Sequence, residues 1–253
     1  QPFLRSLITA PGLSGYEHQV RPLIEEAWRP LVDELSVSRI GSLQGLRKGS
    51  APPPRPSILL AGHMDAIGLM VTGMEQGFLR FTRVGGVDRR ILPGQRVTVH
   101  GREALPAVIA MPSARQLPPE LADSPVGMEY LFVDTGLAPR QVEKLVRIGD
   151  LISFAQEPLE LTGDALAGHT MDDRVAVAAI TVALDELQHL RHSWDVWAVA
   201  TVQEEETLGG AQTSTFGLHP TAAVAIDVTF AKGPGTNDNN TFALGKGITL
   251  AWG

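Results

Sequence analysis

The sequence predicts an α/β fold into which a β-rich unit is inserted. Three observations predict it. SILLAGHMD (57–65), DVWAVATVQEEE (195–206) and TAAVAIDVT (221–229) are continuous apolar runs that each end in histidine or acidic residues. Such runs mark strands buried on both faces of a parallel sheet. Between residues 67 and 161, GLMVTGMEQGFLRFTRVGG, RVTVHG, ALPAVIAM and DLISFAQEPLEL are short, alternating and broken by glycine and proline. That is the texture of a small antiparallel barrel or sandwich. Helical periodicity then returns after residue 162, above all over 173–190. The chain therefore divides into a discontinuous α/β unit, 1–66 with 162–253, and a β-rich insert, 67–161.

Taken in order, residues 3–9 predict a short apolar helix. PGLSGYE (11–17) is a Gly/Pro turn leading into a second helix, with Ser14 as its cap and Glu17 as the capping-box partner. EHQVRPLIEEAWRPLV (17–32) has amphipathic spacing, interrupted by Pro22 and Pro30; proline is tolerated in a first turn and not inside a helix. Residues 34–49 alternate around glycines and predict a strand pair, 51–56 (APPPRP) a loop, and 57–62 a strand. Inside the insert, a helix is expected over 139–144 and an exposed, proline-rich loop over 111–125. The second α/β block predicts a helix over 173–190, a strand over 195–203, a glycine-rich helix start at 207–217 and a strand over 221–228.

Composition narrows the function. With 253 residues the chain holds one large domain or two ordinary ones with ample core material. An apolar content of 43% against 19% charged residues is that of a soluble globular protein. The net charge of −7 argues against a nucleic-acid partner. No apolar run approaches the ~18–20 residues of a membrane-spanning helix, and the start shows no signal peptide. Cysteine is absent, which excludes disulfides and thiolate metal sites and suits a cytoplasmic protein. The chain begins at Gln1 and is expected to lack its original start.

Ligands gather outside the carboxyl ends of parallel strands. If the three apolar strands are neighbours, His63, Asp172, Glu204, Glu205 and Asp227 meet in one crevice, Asp172 arriving from GHTMDDR (168–174) at a helix start. Four carboxylates crowded around one imidazole repel one another, and one or two divalent cations would relieve that repulsion. In His63-Met64-Asp65, alternation points both polar side chains to the same side, so Asp65 can fix the ring nitrogen that does not face a metal. Each motif also has a plainer reading. His63–Asp65 could be a surface turn, Asp172-Asp173 a helix cap with Arg174 pairing either acid, and 204–206 a solvated charge run. Asp227 is the most telling residue, because it falls inside an apolar strand where an unpaired charge is costly. His18, His100, His189, His192 and His219 show no ligand spacing; His169 lies nearer the site.

GHMDAIG, HTMDDR, VQEEE followed by GGA, and AIDVTFA occur in that order, with PGLSGYE near the start and LGKG (244–247) near the end. This set resembles the glutamyl aminopeptidase/cellulase-M family of dinuclear metallo-aminopeptidases, which includes the tetrahedral aminopeptidases. The resemblance implies a zinc-exopeptidase-like α/β/α sandwich with an inserted small β-barrel domain, acting on peptide substrates. It implies two divalent metal ions per subunit, zinc or cobalt. Asp172 would bridge them, His63 and Asp227 would bind one, and Glu205 the other. Glu204 would be the general base and Asp65 would orient His63. The resemblance further implies a cis peptide between Asp172 and Asp173, and a dimer-based homo-oligomer, up to a dodecamer, assembled through the insert. Two departures stand out. The family's QEEVGLRGA appears here with Glu206 in place of an apolar residue and Thr207 in place of glycine. The family's last ligand, a histidine, falls beyond Gly253, so residues 1–253 are expected to bind metal weakly or at one site. The rivals are an endoglucanase-type glycosidase, which needs two carboxylates ~5–9.5 Å apart and no metal, and a non-catalytic scaffold of the same fold.

Overall fold

The computed structural model describes residues 2–119, 126–236 and 239–251. The chain opens with α1 (Pro2–Thr9), a single 3-10 turn (Glu17–Gln19) and α2 (Arg21–Trp28). The long helix expected over 17–32 is thus cut short at both ends. Pro22 sits in the first turn, where no N–H is needed, and Pro30 prevents continuation beyond Arg29. The strand pair follows as β1 (Glu34–Val37) and β2 (Leu43–Arg47), antiparallel, and then β3 (Ser57–His63).

From here the chain leaves the sheet. β4 (Gly68–Glu75), β5 (Phe78–Val84), β6 (Arg96–His100), β7 (Ala104–Ala110), β8 (Phe132–Asp134) and β9 (Leu151–Phe154) close a six-stranded barrel in the order β4-β5-β8-β7-β6-β9. The predicted alternation is the reason. Leu69 and Val71 point inward from β4, and Val97 and Val99 from β6, onto a core that includes Ile109 and Ile152. α3 (Pro139–Leu145) interrupts the strands where the sequence places a helix. Residues 111–118 carry no strand or helix and are mostly exposed, as expected; the end of the predicted loop, 120–125, lies outside the described residues. A two-stranded ribbon, β10 (Leu159–Leu161) with β11 (Ala165–Ala167), then carries the chain out of the barrel.

The α/β unit resumes with α4 (Met171–Leu187), β12 (Asp195–Thr201), the single turn α5 (Glu204–Thr207), α6 (Gly209–Leu218) and β13 (Ala222–Ala225). The sheet order is β1-β2-β12-β3-β13, with β3 parallel to both β12 and β13. One face takes α1, α2 and α4: Ala198 and Ala200 of β12 share a core with Trp28, Val177 and Ile180. The other face presents Leu59, Ala61 and Val199, with Leu218 of α6 packed against them. This alternation builds the three α/β/α layers. Gly62 lets α4 lie close on β3, since a Cβ there would stand 2.9 Å from Ala176 Cβ. The fold is the predicted α/β sandwich with an inserted barrel. No helix among the described residues is long and apolar enough to cross a membrane.

One strand differs from expectation. β13 ends at Ala225, short of residue 228, and its residues are exposed. Among the described residues it pairs only with β3. Asp227 therefore lies past the strand and is itself exposed, not enclosed in an apolar strand.

Candidate metal centre

The register explains why the predicted residues meet. His63 pairs with Thr201, and Ala61 with Ala225, so β3, β12 and β13 end along one edge of the sheet. Glu204 and Glu205 follow β12 and Asp227 follows β13. α4 brings Asp172 to the same edge, and the Asp172–Asp173 peptide is cis, as the resemblance implies. His63 Nε2 lies 3.0 Å from Asp172 Oδ1 and 3.6 Å from Glu204 Oε2. Donor atoms of His63, Asp172 and Asp227 lie within 4.8 Å of one another, and so do those of His63, Glu204 and Glu205. His63 belongs to both groups. All five residues that the sequence nominates are thus brought together. His169 joins neither group; its ring stands edge-on to Phe154, centroids 5.5 Å apart.

The shell behind these donors is built from backbone contacts. His63 Nδ1 donates to the backbone oxygen of Asp65 at 3.1 Å. That oxygen can only accept, so the tautomer is fixed and Nε2 is left facing the acids. The Asp65 carboxylate has a further task. It is fully buried and accepts from the N–H groups of Glu204 and Glu205, each at 3.1 Å. Its Oδ1 is also 3.5 Å from His63 Nδ1, so the carbonyl holds the ring, while the carboxylate supports the ring's charge and holds the acidic turn. Glu206 points away, and its carboxylate accepts from Gly85 N of the barrel at 2.6 Å.

Three partners went unread in the sequence. Arg174 pairs with neither aspartate. It is fully buried and donates to the backbone oxygens of Met64, Leu7, Ala10 and Gly12, stitching the N-terminal segment to the end of β3. Asp173 is fully buried and its Oδ2 accepts from His63 N at 3.2 Å. Its signal was available: residue 173 falls on the stripe 173, 176, 177, 180 and 184 that α4 buries. Glu17 forms no capping box with Ser14. It is buried, and its carboxylate accepts from Gly15 N at 2.8 Å and Gln203 N at 3.1 Å.

The electrostatics fit a cation. Burial, then the charge of Asp172, pushes Glu205 up to about 7. Burial, then Asp227, pushes Asp173 up to about 8. Glu204 is raised as well, by burial and then, against the pull of His63, by its acidic neighbours, and Asp227, although exposed, is raised by partial desolvation and the charge of Asp172 against Val228 N–H and His63. Burial opposes a charged His63, but the bonds from Asp172 and Asp65 outweigh it and hold the imidazolium up to about 11. Burial likewise opposes a charged Asp65, and His63 with the Glu204 and Glu205 amides hold its carboxyl below the usual range. Acids that resist ionising beside a histidine that resists losing its proton form a set in which a divalent cation would replace that proton. The imidazole and carboxylate donors suit zinc or a similar transition ion.

The M42 glutamyl aminopeptidase family profile matches residues 41–253. The chain is 33% identical to a lysyl aminopeptidase of Pyrococcus furiosus over 98% of its own length and 71% of that protein's. Its fold is similar to an aminopeptidase of the archaeon Desulfurococcus kamchatkensis, with a TM-score of 0.89 and 37% identity over 97% of this chain and 68% of that one. It is also similar to the TET1 peptidase of Pyrococcus horikoshii, which can assemble into a tetrahedron or a large octahedral shell, with a TM-score of 0.80 and 32% identity over 94% of this chain and 71% of that one. The chain belongs to the M42 glutamyl aminopeptidase family. It is thereby a hydrolase of the metal-dependent aminopeptidase class.

Proposed function

We propose that the protein removes N-terminal residues from peptides with two divalent ions, zinc or cobalt, held in part by His63, Asp172, Glu205 and Asp227. The observation that carries this reading is that donor atoms of His63, Asp172 and Asp227 lie within 4.8 Å of one another, with Glu204 and Glu205 gathered on the same imidazole. Bound there, the ions would polarise the scissile carbonyl and acidify a water molecule. Glu204 is the general base. It is more open to solvent than His63, its Oε2 faces His63 Nε2, and its raised pKa suits it to take a proton and return it to the leaving amine. Asp65 acts behind both, holding the backbone of the acidic turn and, through its carbonyl, the imidazole.

In this reading residues 1–66 and 162–253 form the catalytic unit, and 67–161 form an inserted unit that contributes to a homo-oligomer. The assemblies of the TET1 peptidase support self-association. The partners are peptides, with no nucleic acid, and the location is the cytoplasm. A glycosidase would need a carboxylate pair ~5–9.5 Å apart and gives no task to an imidazole; donors gathered around His63 favour the metal.

The test is Glu204→Gln in the metal-loaded protein. Its metal content should equal that of the wild type, while turnover of aminoacyl nitroanilides falls by roughly 10²–10⁴-fold. Loss of metal in that variant would make Glu204 a ligand. A wild-type protein that holds its metals and turns over no aminoacyl substrate would establish the scaffold instead.

A further inference from the structure

We propose that Glu17 is a positioning residue for the acidic pair, fixing through the Gln203 amide the turn that aims Glu204 and Glu205 at His63; this rests on the catalytic reading above. Gln203 begins α5 in the left-handed region, φ 56° and ψ 35°, a conformation that a side chain other than glycine adopts at a cost. What holds it there is a run of three successive amides bound by two carboxylates from elsewhere in the chain. Gln203 N donates to Glu17 Oε1 at 3.1 Å, and Glu204 N and Glu205 N donate to Asp65. Glu17 lies 186 residues from Gln203 in sequence and is only 6% exposed. The same Oε1 accepts from Gly15 N at 2.8 Å. A buried carboxylate that spends one oxygen on two backbone amides, one of them at the mouth of the site, is poorly explained by the helix cap its sequence context suggests. Ser14, the other half of that cap, does not pair with it, and its Oγ is buried without a partner among the described residues.

The consequence is geometric. Glu204 Oε2 stands 3.6 Å from His63 Nε2 because the turn is pinned at its first three amides. Released at the first, Gln203 can relax toward the right-handed region and swing both side chains. A displacement of about 1 Å at a reacting group can cost as much as ~10²-fold in rate.

Two variants separate reach from charge. Glu17→Gln keeps an oxygen at the Oε1 position and loses the charge. Glu17→Asp keeps the charge and is one methylene too short for Gln203 N. Both are prepared as the full chain with metal. kcat and KM are measured well below the melting temperature of each, and amide exchange is followed over residues 202–206. The expected result is a fall in kcat of roughly 10- to 100-fold for Glu17→Asp with little change in KM, and faster exchange at Gln203–Glu205. Glu17→Gln should stay within about 3-fold of wild type and keep the protection. Both variants are repeated in a Gln203→Gly background, where the left-handed backbone carries no steric cost and folding is safeguarded. Wild-type rate and protection in Glu17→Asp would overturn the proposal, as would equal damage in Glu17→Gln. If the wild type hydrolyses no aminoacyl substrate, the catalytic reading falls, while the exchange comparison still decides whether Glu17 holds the turn.

Discussion

Removing the Asp65 carboxylate should damage the fold and the site together, and by an amount the structure bounds. Asp65 is fully buried, and its two oxygens satisfy the amides of Glu204 and Glu205. In Asp65→Ala both amides lose their partners, at about 1–3 kcal/mol each. Water entering the vacated space recovers part of this, leaving a net loss of about 2–5 kcal/mol against a typical domain stability of about 5–15 kcal/mol. With a urea dependence of about 2–3 kcal/mol/M for a chain of this size, the midpoint should fall by about 0.7–2.5 M. Asp65→Asn keeps one acceptor and turns a donor against the other amide, so it should lie between Ala and wild type. Fluorescence of Trp28, fully buried in the core between sheet and helices, reports the transition. The measurement belongs in chelator, so that lost metal binding does not enter the difference. A midpoint within about 0.3 M of wild type, with kcat unchanged once metal is restored, would show that the turn stands without Asp65.

Two further outcomes follow from the frame around the site. Gly210→Ala should lower stability by about 1–3 kcal/mol, because the new Cβ would stand 2.4 Å from Val202 O and 2.5 Å from Val202 N; a thermal midpoint equal to wild type would contradict that packing. Asp195 ties the loop before β3 to the start of β12 through Arg55 at 2.6 Å and Gly49 N at 2.7 Å. Partial burial opposes its charge, but Arg55 and Gly49 outweigh it and hold its carboxyl below the usual range. A lowered folded pKa means the contribution is present above the unfolded carboxyl value of about 3.9 and is lost as pH falls through the folded one. The thermal midpoint of wild type should therefore drop more steeply below pH 4 than that of Asp195→Asn, and parallel slopes would refute the pairing.

The parts legible in the sequence share a physical origin. The strands of the sheet and the barrel announce themselves because burial imposes a period, continuous in β3 and β12 and alternating in β4 and β6. His63, Glu204, Glu205 and Asp227 stand out because polar residues following an apolar strand have few structural reasons to exist, and Asp172 because it opens a helix beside them. The end of β13 was illegible, since an apolar run does not reveal where along it the pairing with a neighbour stops. The partners of Arg174, Glu17 and Asp65 were hidden for a different reason. All three bind backbone amides or carbonyls, and every residue carries those, so no side-chain pattern marks the other half of the contact. Glu206 is the local case: the departure was visible, but its partner is an amide of Gly85, 121 residues away.

That dependence on backbone partners also bears on how a site can survive a long insertion. His63 and Asp172 touch across 109 residues of sequence. A flexible loop of that length would leave the pair loosely specified, although its closure entropy grows only slowly with length. The barrel removes the difficulty, because its first strand pairs with its last, Leu69 with Ile152 and Met70 with Leu151. Once closed, it returns the chain close to where it left. The distance from β3 to α4 is then spanned by the short segments on either side of the barrel and by the β10–β11 ribbon. Arg174 completes the return, binding the carbonyl of Met64 on one side of the insertion from its own place on the other. The barrel core and the buried guanidinium thus hold the two halves of the site in register without relying on attraction among the metal-facing carboxylates.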